Sequence, residues 1–250
     1  MFGLQKATQL TSDDETATLR WLAEQYAYPA SDRPYLRVNM VSSIDGAVTH
    51  NGKSGDLAGP GDKAIFHVLR GLADVVLVGA RTAVTEGYRQ PSPDDAFTDA
   101  REAAGQTPAP ALVLVSRSLS IPADYAPLAN PTTLVFTCAS ADATKRAALT
   151  DAGATLVDCG DDTVEVAAML DECTRRGWLR VLSEGGPSLL GSFVAADAVD
   201  ELCVTTSPNL VAGDAERIAH GSDPAHLRPM RPTTIITDDD GFVFTRWTRG

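Results

Sequence analysis

The chain has 250 residues, room for one large domain or two small ones. Its 44% hydrophobic and 22% charged residues exclude a disordered protein, and a domain of this size folds without a metal or disulfide staple. Lys and Arg number 21 against 33 Asp and Glu, a net charge of -12, which excludes a general binder of polyphosphate backbones.

No apolar run approaches the roughly 18 residues of a spanning helix, and the N-terminus lacks the charged-then-apolar pattern of a secretion signal. A soluble cytoplasmic protein with neither membrane nor nucleic-acid partners is expected. Cys138, Cys159, Cys173 and Cys203 show no Cys-x-x-Cys spacing, so they read as small buried hydrophobes and no metal site is expected.

The first predicted element is a helix. Ser12-x-x-Glu15 has capping-box spacing, and Leu19, Leu22, Ala23 and Tyr26 follow at helical intervals. Pro29 to Pro34 ends it, and the β-prone run Tyr35–Val41 leads into a Gly-rich loop. A helix is predicted over Pro60–Ala73, with Ile65, Phe66, Leu69 and Leu72 on one face. Val75–Val78 is a buried strand ending at Gly79, followed by a helix from Arg81 into Glu86. Pro91–Pro110, rich in Pro, Asp and Ala, reads as a mobile loop.

Four short runs follow as strands: Ala111–Val115, Thr132–Thr137, Ala154–Val157 and Leu179–Ser183. Helical patterns at Ala141–Ala152, Val164–Arg176 and Pro187–Ala196 alternate with or follow the later ones. That alternation predicts an α/β fold, a parallel sheet covered on both faces. After Asp200 the texture changes. Glu201–Ser207 is a strand, Pro208–Pro232 is mostly irregular, and Thr233–Thr237 and Phe242–Thr248 flank Asp238-Asp239-Asp240-Gly241, an antiparallel hairpin. The reading divides the chain into a helical extension, 1–34, and a single domain, 35–250.

Ligands of open α/β sheets bind beyond the carboxyl ends of the strands. Glu184-Gly185-Gly186-Pro187-Ser188 is the most informative of these ends. Two glycines admit close approach to the backbone, Pro187 suits a first helical position, and the helix would aim free N–H groups at an anion. A tight turn with no ligand fits the same pattern. Arg81-Thr82 and Ser116-Arg117 are two further anion candidates, each equally compatible with a solvated surface. No Rossmann glycine fingerprint, phosphate loop, nucleophile elbow or zinc-deaminase motif is present in the sequence.

Ser43-Ile44-Asp45-Gly46, Val78-Gly79-Ala80-Arg81-Thr82, Leu114-Val115-Ser116-Arg117, Ser183-Glu184-Gly185-Gly186-Pro187 and Asp200-Glu201-Leu202 occur in the order seen in riboflavin-biosynthesis pyrimidine reductases. From about Tyr35 to Trp247 the chain resembles the reductase half of the bacterial deaminase-reductase. That resemblance implies a dihydrofolate-reductase-like fold, with a mostly parallel central sheet, flanking helices and an antiparallel C-terminal hairpin. It implies NADPH as cofactor and the reduction of 5-amino-6-(5-phosphoribosylamino)uracil to the ribityl form, without a deaminase domain.

The resemblance also implies residue roles. Gly185, Gly186 and Ser188, with Pro187 and Leu189, would hold the diphosphate. Thr82 and Glu86 match cofactor contacts, Ser116 an adenosine-side contact, and Ser42, Asp56 and Gly79 further cofactor-lining positions. Arg81 and Arg117 would take the 2′-phosphate, and Gly160 would line the same edge. Ser54, Arg70 and Glu184 fall at substrate positions, Arg70 as a counter-charge for phosphate and Glu184 as hydrogen-bond acceptor or proton donor. Glu86-Gly87-Tyr88 departs from the family pattern, so no substrate wall transfers there. Two other readings remain open: reduction of dihydrofolate, for which Asp62 would supply the ring-binding carboxylate, and a non-catalytic NADPH-binding module. A homodimer is expected.

Overall fold

Val75, Val76, Leu77 and Val78 are each fully buried, as a parallel strand covered on both faces must be. They lie within a 10-stranded sheet. The computed structural model describes residues 8–9, 14–221 and 227–250. Its elements in chain order are β1 (Thr8–Gln9), α1 (Glu15–Gln25), β2 (Tyr35–Ser43), α2 (Pro60–Leu72), β3 (Val75–Gly79), α3 (Ala80–Glu86), α4 (Thr98–Ala103), β4 (Ala111–Val115) and β5 (Thr133–Thr137). Then follow α5 (Ala143–Asp151), β6 (Thr155–Asp158), α6 (Val166–Arg175), β7 (Arg180–Ser183), α7 (Pro187–Ala195), β8 (Glu201–Ser207), β9 (Met230–Thr237) and β10 (Val243–Arg249).

The strand order is β1-β9-β10-β8-β2-β7-β3-β4-β5-β6. Every pairing from β8 to β6 is parallel, so seven strands bring their carboxyl ends to one edge. β10 runs antiparallel to both β8 and β9, which gives the expected α/β sheet with an antiparallel C-terminal pair. One apolar core gathers Leu22, Ile65, Leu69 and Phe244 on one side of the sheet. A second core, with Leu36, Val181, Met169 and Phe193, lies under α6 and α7.

The N-terminal segment shares the first core. Leu19, Leu22 and Tyr26 pack there with α2, and β1 adds a parallel strand beside β9 that the sequence did not suggest. The cap of α1 is Asp14, whose carboxylate accepts from Ala17 N at 3.2 Å; Ser12 lies outside the described residues. β2 continues through Ser42 and Ser43, expected beyond the strand, because β8 extends the ladder to Ser42↔Thr206 and Ser43↔Ser207.

The segment Pro91–Pro110 differs from the expected mobile loop. It contains α4, and Arg101 at 2% exposure pins it to the end of α2. Arg101 Nη1 donates to the carbonyls of Gly71 and Ala73 at 2.8 and 2.7 Å, and its Nε to Thr107 O at 2.7 Å. Those carbonyls close a helix end, where intrahelical donors run out.

At the amino ends of the strands, Arg37 and Glu201 form a wholly buried pair, Nε to Oε1 2.5 Å. Arg246 Nη2 and Tyr35 OH donate to Glu201 Oε2 at 2.9 and 3.1 Å. Burial works to raise the Glu201 carboxyl, but Arg37 and Arg246 outweigh it and hold it below its ordinary range. The network spans β2, β8 and β10, fixing the register where the sheet turns antiparallel. Among the described residues no helix is long and apolar enough to cross a membrane.

Replacing Arg101 with Ala strands the α2 carbonyls in a buried setting. The expected loss is about 3 kcal/mol of unfolding free energy in urea titration; a loss below about 1 kcal/mol would contradict the capping role.

Candidate active site

The carboxyl end of β7 carries the turn Glu184-Gly185-Gly186, which opens α7 at Pro187. Gly185 and Gly186 have φ of 87° and 32°, values that favour glycine. A Cβ on Gly186 would come within 2.6 Å of Thr82 Oγ1, and one on Gly185 within 2.7 Å of Met40 Sδ. Gly185 O accepts from Gly79 N at 2.9 Å, which ties the turn to the neighbouring strand β3. Pro187 has no N–H, and Leu189 and Leu190 donate to Gly186 O at 3.0 and 3.1 Å. The Gly186 and Ser188 amides therefore stand at the positive end of the helix, where no carbonyl precedes them. This is a backbone cradle of anion-binding type.

Beside the cradle is a cavity of ≈ 450 Å³ between α2, α3 and β2, lined in part by Ser54, Asp62, Phe66, Thr82, Tyr88 and Glu184. The Glu184 side chain is 1% exposed. Both its oxygens accept from Arg70, from Nε and Nη2 at 2.7 Å each. The Arg70 guanidinium lies 4.2 Å from the Phe66 ring centroid and 5.1 Å from that of Tyr88. Arg70, expected from the sequence as a counter-charge for phosphate, has a protein partner of its own. Its fork is engaged by Glu184, because a carboxylate buried at a strand end needs a cation to hold it.

Tyr88 is the residue that sequence reasoning missed. Gly87 ends α3 in the left-handed region at φ 72°, and Tyr88 N donates back to Ala83 O at 2.9 Å. That reversal folds the ring over Arg70, and burial first, then the charge of Glu184, raises the phenol well above its ordinary range. An aromatic residue directly after a helix-ending Gly was the available signal, since that position commonly packs back on its helix.

The structure joins two other expected site residues directly. Glu86 Oε1 accepts from Ser54 N at 2.9 Å and from Ser54 Oγ at 3.1 Å, fastening the glycine-rich loop to α3. Arg81 is exposed at the cavity mouth. Arg117 is exposed two residues beyond β4, whose Val115 pairs with Gly79, so the two guanidinia project from adjacent strand ends. Asp62 is buried and lines the cavity, and Leu189 is buried under the first turn of α7.

Other expected residues stand apart from the cavity lining. Ser42 is buried within β2, and Ser116 N donates to Phe136 O at 2.9 Å. Asp56 is exposed and pairs with His50 Nδ1 at 2.9 Å. Gly160 follows the outermost strand, β6, and its glycine serves its own loop: a Cβ there would meet Thr163 O at 2.4 Å.

A strap over 208–221 contributes Glu216 to the cavity lining. Asp45 receives Ser43 Oγ at 2.5 Å, Ala212 N at 2.7 Å and Val211 N at 3.2 Å, bonds that hold its carboxyl down at about 2. At the other end His220 N donates to Pro187 O at 3.2 Å, and His220 Nε2 lies 3.3 Å from Ser188 Oγ. The approach needs a glycine, since a Cβ on Gly191 would sit 1.9 Å from His220 O.

Residues 34–244 match the RibD C-terminal domain. The chain belongs to that family. A 2,5-diamino-6-ribosylamino-4(3H)-pyrimidinone 5′-phosphate reductase of Archaeoglobus fulgidus is 25% identical, covering 85% of this chain and 97% of that protein. The riboflavin biosynthesis protein RibD of Bacillus amyloliquefaciens is 28% identical over 82% of this chain and 56% of its own length. Among solved structures, a pyrimidine reductase-like protein of Corynebacterium diphtheriae superposes with a TM-score of 0.81 at 25% identity, covering 90% of this chain and 98% of that one. The Saccharomyces riboflavin biosynthesis reductase Rib7 shares the fold with a TM-score of 0.64 at 13% identity.

Within this RibD-type domain, the Arg70–Glu184 pair joins α2 to the turn after β7. Arg70→Met leaves a buried carboxylate uncompensated and is expected to cost about 3 kcal/mol of stability. Adding Glu184→Gln should recover a substantial part of that loss in urea unfolding. Equal and additive losses would show that the pair is not coupled.

Proposed function

We propose that this chain is a nicotinamide-dependent reductase of riboflavin biosynthesis that converts the ribosyl group of a phosphoribosylamino-pyrimidine to the ribityl form. One observation carries the reading: the glycine cradle at α7 opens directly onto a cavity holding a buried, oriented carboxylate. The cradle fits a dinucleotide diphosphate because the Gly186 and Ser188 amides stand at the start of α7 beside the cavity, in a turn that Met40 and Thr82 pack too closely for any residue but glycine. NADPH is the form proposed, since Arg81 and Arg117 offer two guanidinia at adjacent strand ends for a 2′-phosphate.

When bound, the nicotinamide supplies a hydride to C1′ of the opened sugar. The protein's part is alignment. The Gly186 and Ser188 amides and the Thr82 hydroxyl anchor the cofactor, while Phe66 and Tyr88 give the cavity apolar walls. Glu184, with both oxygens oriented by Arg70, accepts hydrogen bonds from the sugar hydroxyls. This makes Glu184 an orienting group: ring opening would move the amine proton through solvent onto the ring oxygen and leave a C1′–N double bond, and the nitrogen would regain a proton from solvent as the hydride reaches C1′. The expected substrate, 5-amino-6-(5-phosphoribosylamino)uracil, and the 2,5-diamino compound named for the archaeal relatives carry the same phosphoribosylamino group.

The protein is further proposed to act in the cytoplasm as a homodimer. Support comes from β6, which among the described residues ends the sheet with one unpaired edge, an arrangement that a second subunit commonly covers. Light scattering at micromolar concentration should give twice the chain mass; a monomer would refute the dimer.

Purified protein should consume NADPH when given either phosphoribosylamino-pyrimidine. A far higher kcat/KM with dihydrofolate, or cofactor binding without turnover of any of these, would overturn the assignment. Arg81→Ala and Arg117→Ala should each raise the KM for NADPH about tenfold and leave that for NADH nearly unchanged. Equal effects on the two cofactors would remove the 2′-phosphate role. Glu184→Gln with near-normal turnover would remove the orienting role.

A further inference from the structure

The strap over 208–221 brings to the glycine cradle a side chain for which the reductase reading has no use. On the loop after β2, Ile44 N donates to Asn209 O at 3.0 Å and Val48 N to Glu216 O at 3.2 Å. The strap is thus held to that loop before it reaches α7. Its contact with α7 is a separate attachment, made by His220, whose N donates to Pro187 O at 3.2 Å. That approach demands Gly191, where a Cβ would lie 1.9 Å from His220 O. The His220 side chain is 41% exposed and that of Glu216 63%, so neither is there to fill a core.

The imidazole meets two groups through one nitrogen. Nε2 lies 3.3 Å from Glu216 Oε2 and 3.3 Å from Ser188 Oγ. A carboxylate only accepts, which assigns the hydrogen to Nε2. One N–H shared between two acceptors is an ordinary arrangement at a helix end. Ser188 Oγ therefore accepts from His220, and its own proton is left to be donated elsewhere. Among the described residues that hydroxyl has no other hydrogen-bond partner. Ser188 is the second residue of α7, so its unused donor stands beside the free amides of the same turn.

A diphosphate carries oxygens on two phosphorus atoms, more than two amides satisfy. We infer that His220 is a positioning residue of the cofactor site: its Nε2–H holds the Ser188 hydroxyl with the proton turned toward the diphosphate. The inference rests on the cofactor reading above and adds to that site a residue from outside α7. Glutamine would keep an N–H donor near the place of Nε2, whereas alanine would leave the hydroxyl free to rotate.

The test is NADPH binding by titration calorimetry without substrate, with steady-state kinetics alongside. His220→Ala should weaken NADPH about tenfold, raise its KM alike and change kcat less than about twofold. Adenosine 2′-monophosphate, which lacks the diphosphate, should bind variant and wild type within about twofold of each other. His220→Gln should regain most of the loss. Ser188→Ala should lose as much as His220→Ala, and the double variant no more than either, because both act through one hydroxyl. A His220→Ala protein within about twofold of wild type for NADPH, or one that loses both ligands equally, overturns the inference. So does a glutamine variant as weak as the alanine one, or a double variant whose losses add. If His220→Ala fails to fold, imidazole nitrogen resonances of the wild type decide. His220 should carry its hydrogen on Nε2 and shift with NADP+ but not with adenosine 2′-monophosphate; the other tautomer, or the same response to both, overturns the inference. Wild type that binds no NADPH overturns this inference and the reductase reading together. The expected binding pattern without turnover of either pyrimidine would sink the reductase reading and spare His220. Turnover with an unaffected His220→Ala protein would do the reverse.

Discussion

A carboxylate at the end of a central parallel strand, shielded from water, is costly unless a cation meets it squarely. Glu184 is in that position, and Arg70 meets both of its oxygens. The consequence reaches beyond two residues, because Arg70 belongs to α2 and Glu184 to the turn that opens α7. One ion pair thus sets the separation of a cavity wall from the glycine cradle. Phe66 and Tyr88 pack on the same guanidinium, so the apolar walls take their position from it as well. The result is a pocket whose walls are held in fixed relation to one another, the positioning that alignment-limited catalysis requires.

The sheet was legible because its strands are continuous apolar runs punctuated by helices, and parallel strands leave few other arrangements. The turn at Glu184–Ser188 was legible for a related reason: paired glycines followed by Pro at a helix start have a narrow set of physical uses. Less visible were contacts made across long chain separations. Nothing local in Arg101 announces that it closes a helix ending about 30 residues earlier. Nor does Arg70 reveal its partner 114 positions away. The strand β1 escaped notice because two residues carry no periodicity. Tyr88 fell where the family pattern lapses, and only the left-handed Gly87 before it explains why its ring turns inward.

Irregular structure proved less irregular than composition suggests. The 208–221 strap has no ladder of its own, yet Asp45 gathers two of its amides and His220 reaches the first turn of α7. Gly191 makes that crossing sterically possible. In physical terms the strap is a satisfied backbone that happens to lack repetition. Alternating patterns find strands and helices but have no means of finding such a segment.

The buried Arg37–Glu201–Arg246 network lies at the amino ends of the parallel strands, at the opposite end of the strands from the cradle and cavity. Strand register is therefore fixed at one pole and ligand contact is made at the other. Such polarity frees the loops at the ligand-facing pole to accept new side chains during divergence, since register is guarded elsewhere. It makes this scaffold well suited to acquiring altered ligand preferences by small steps, with the framework unchanged beneath them.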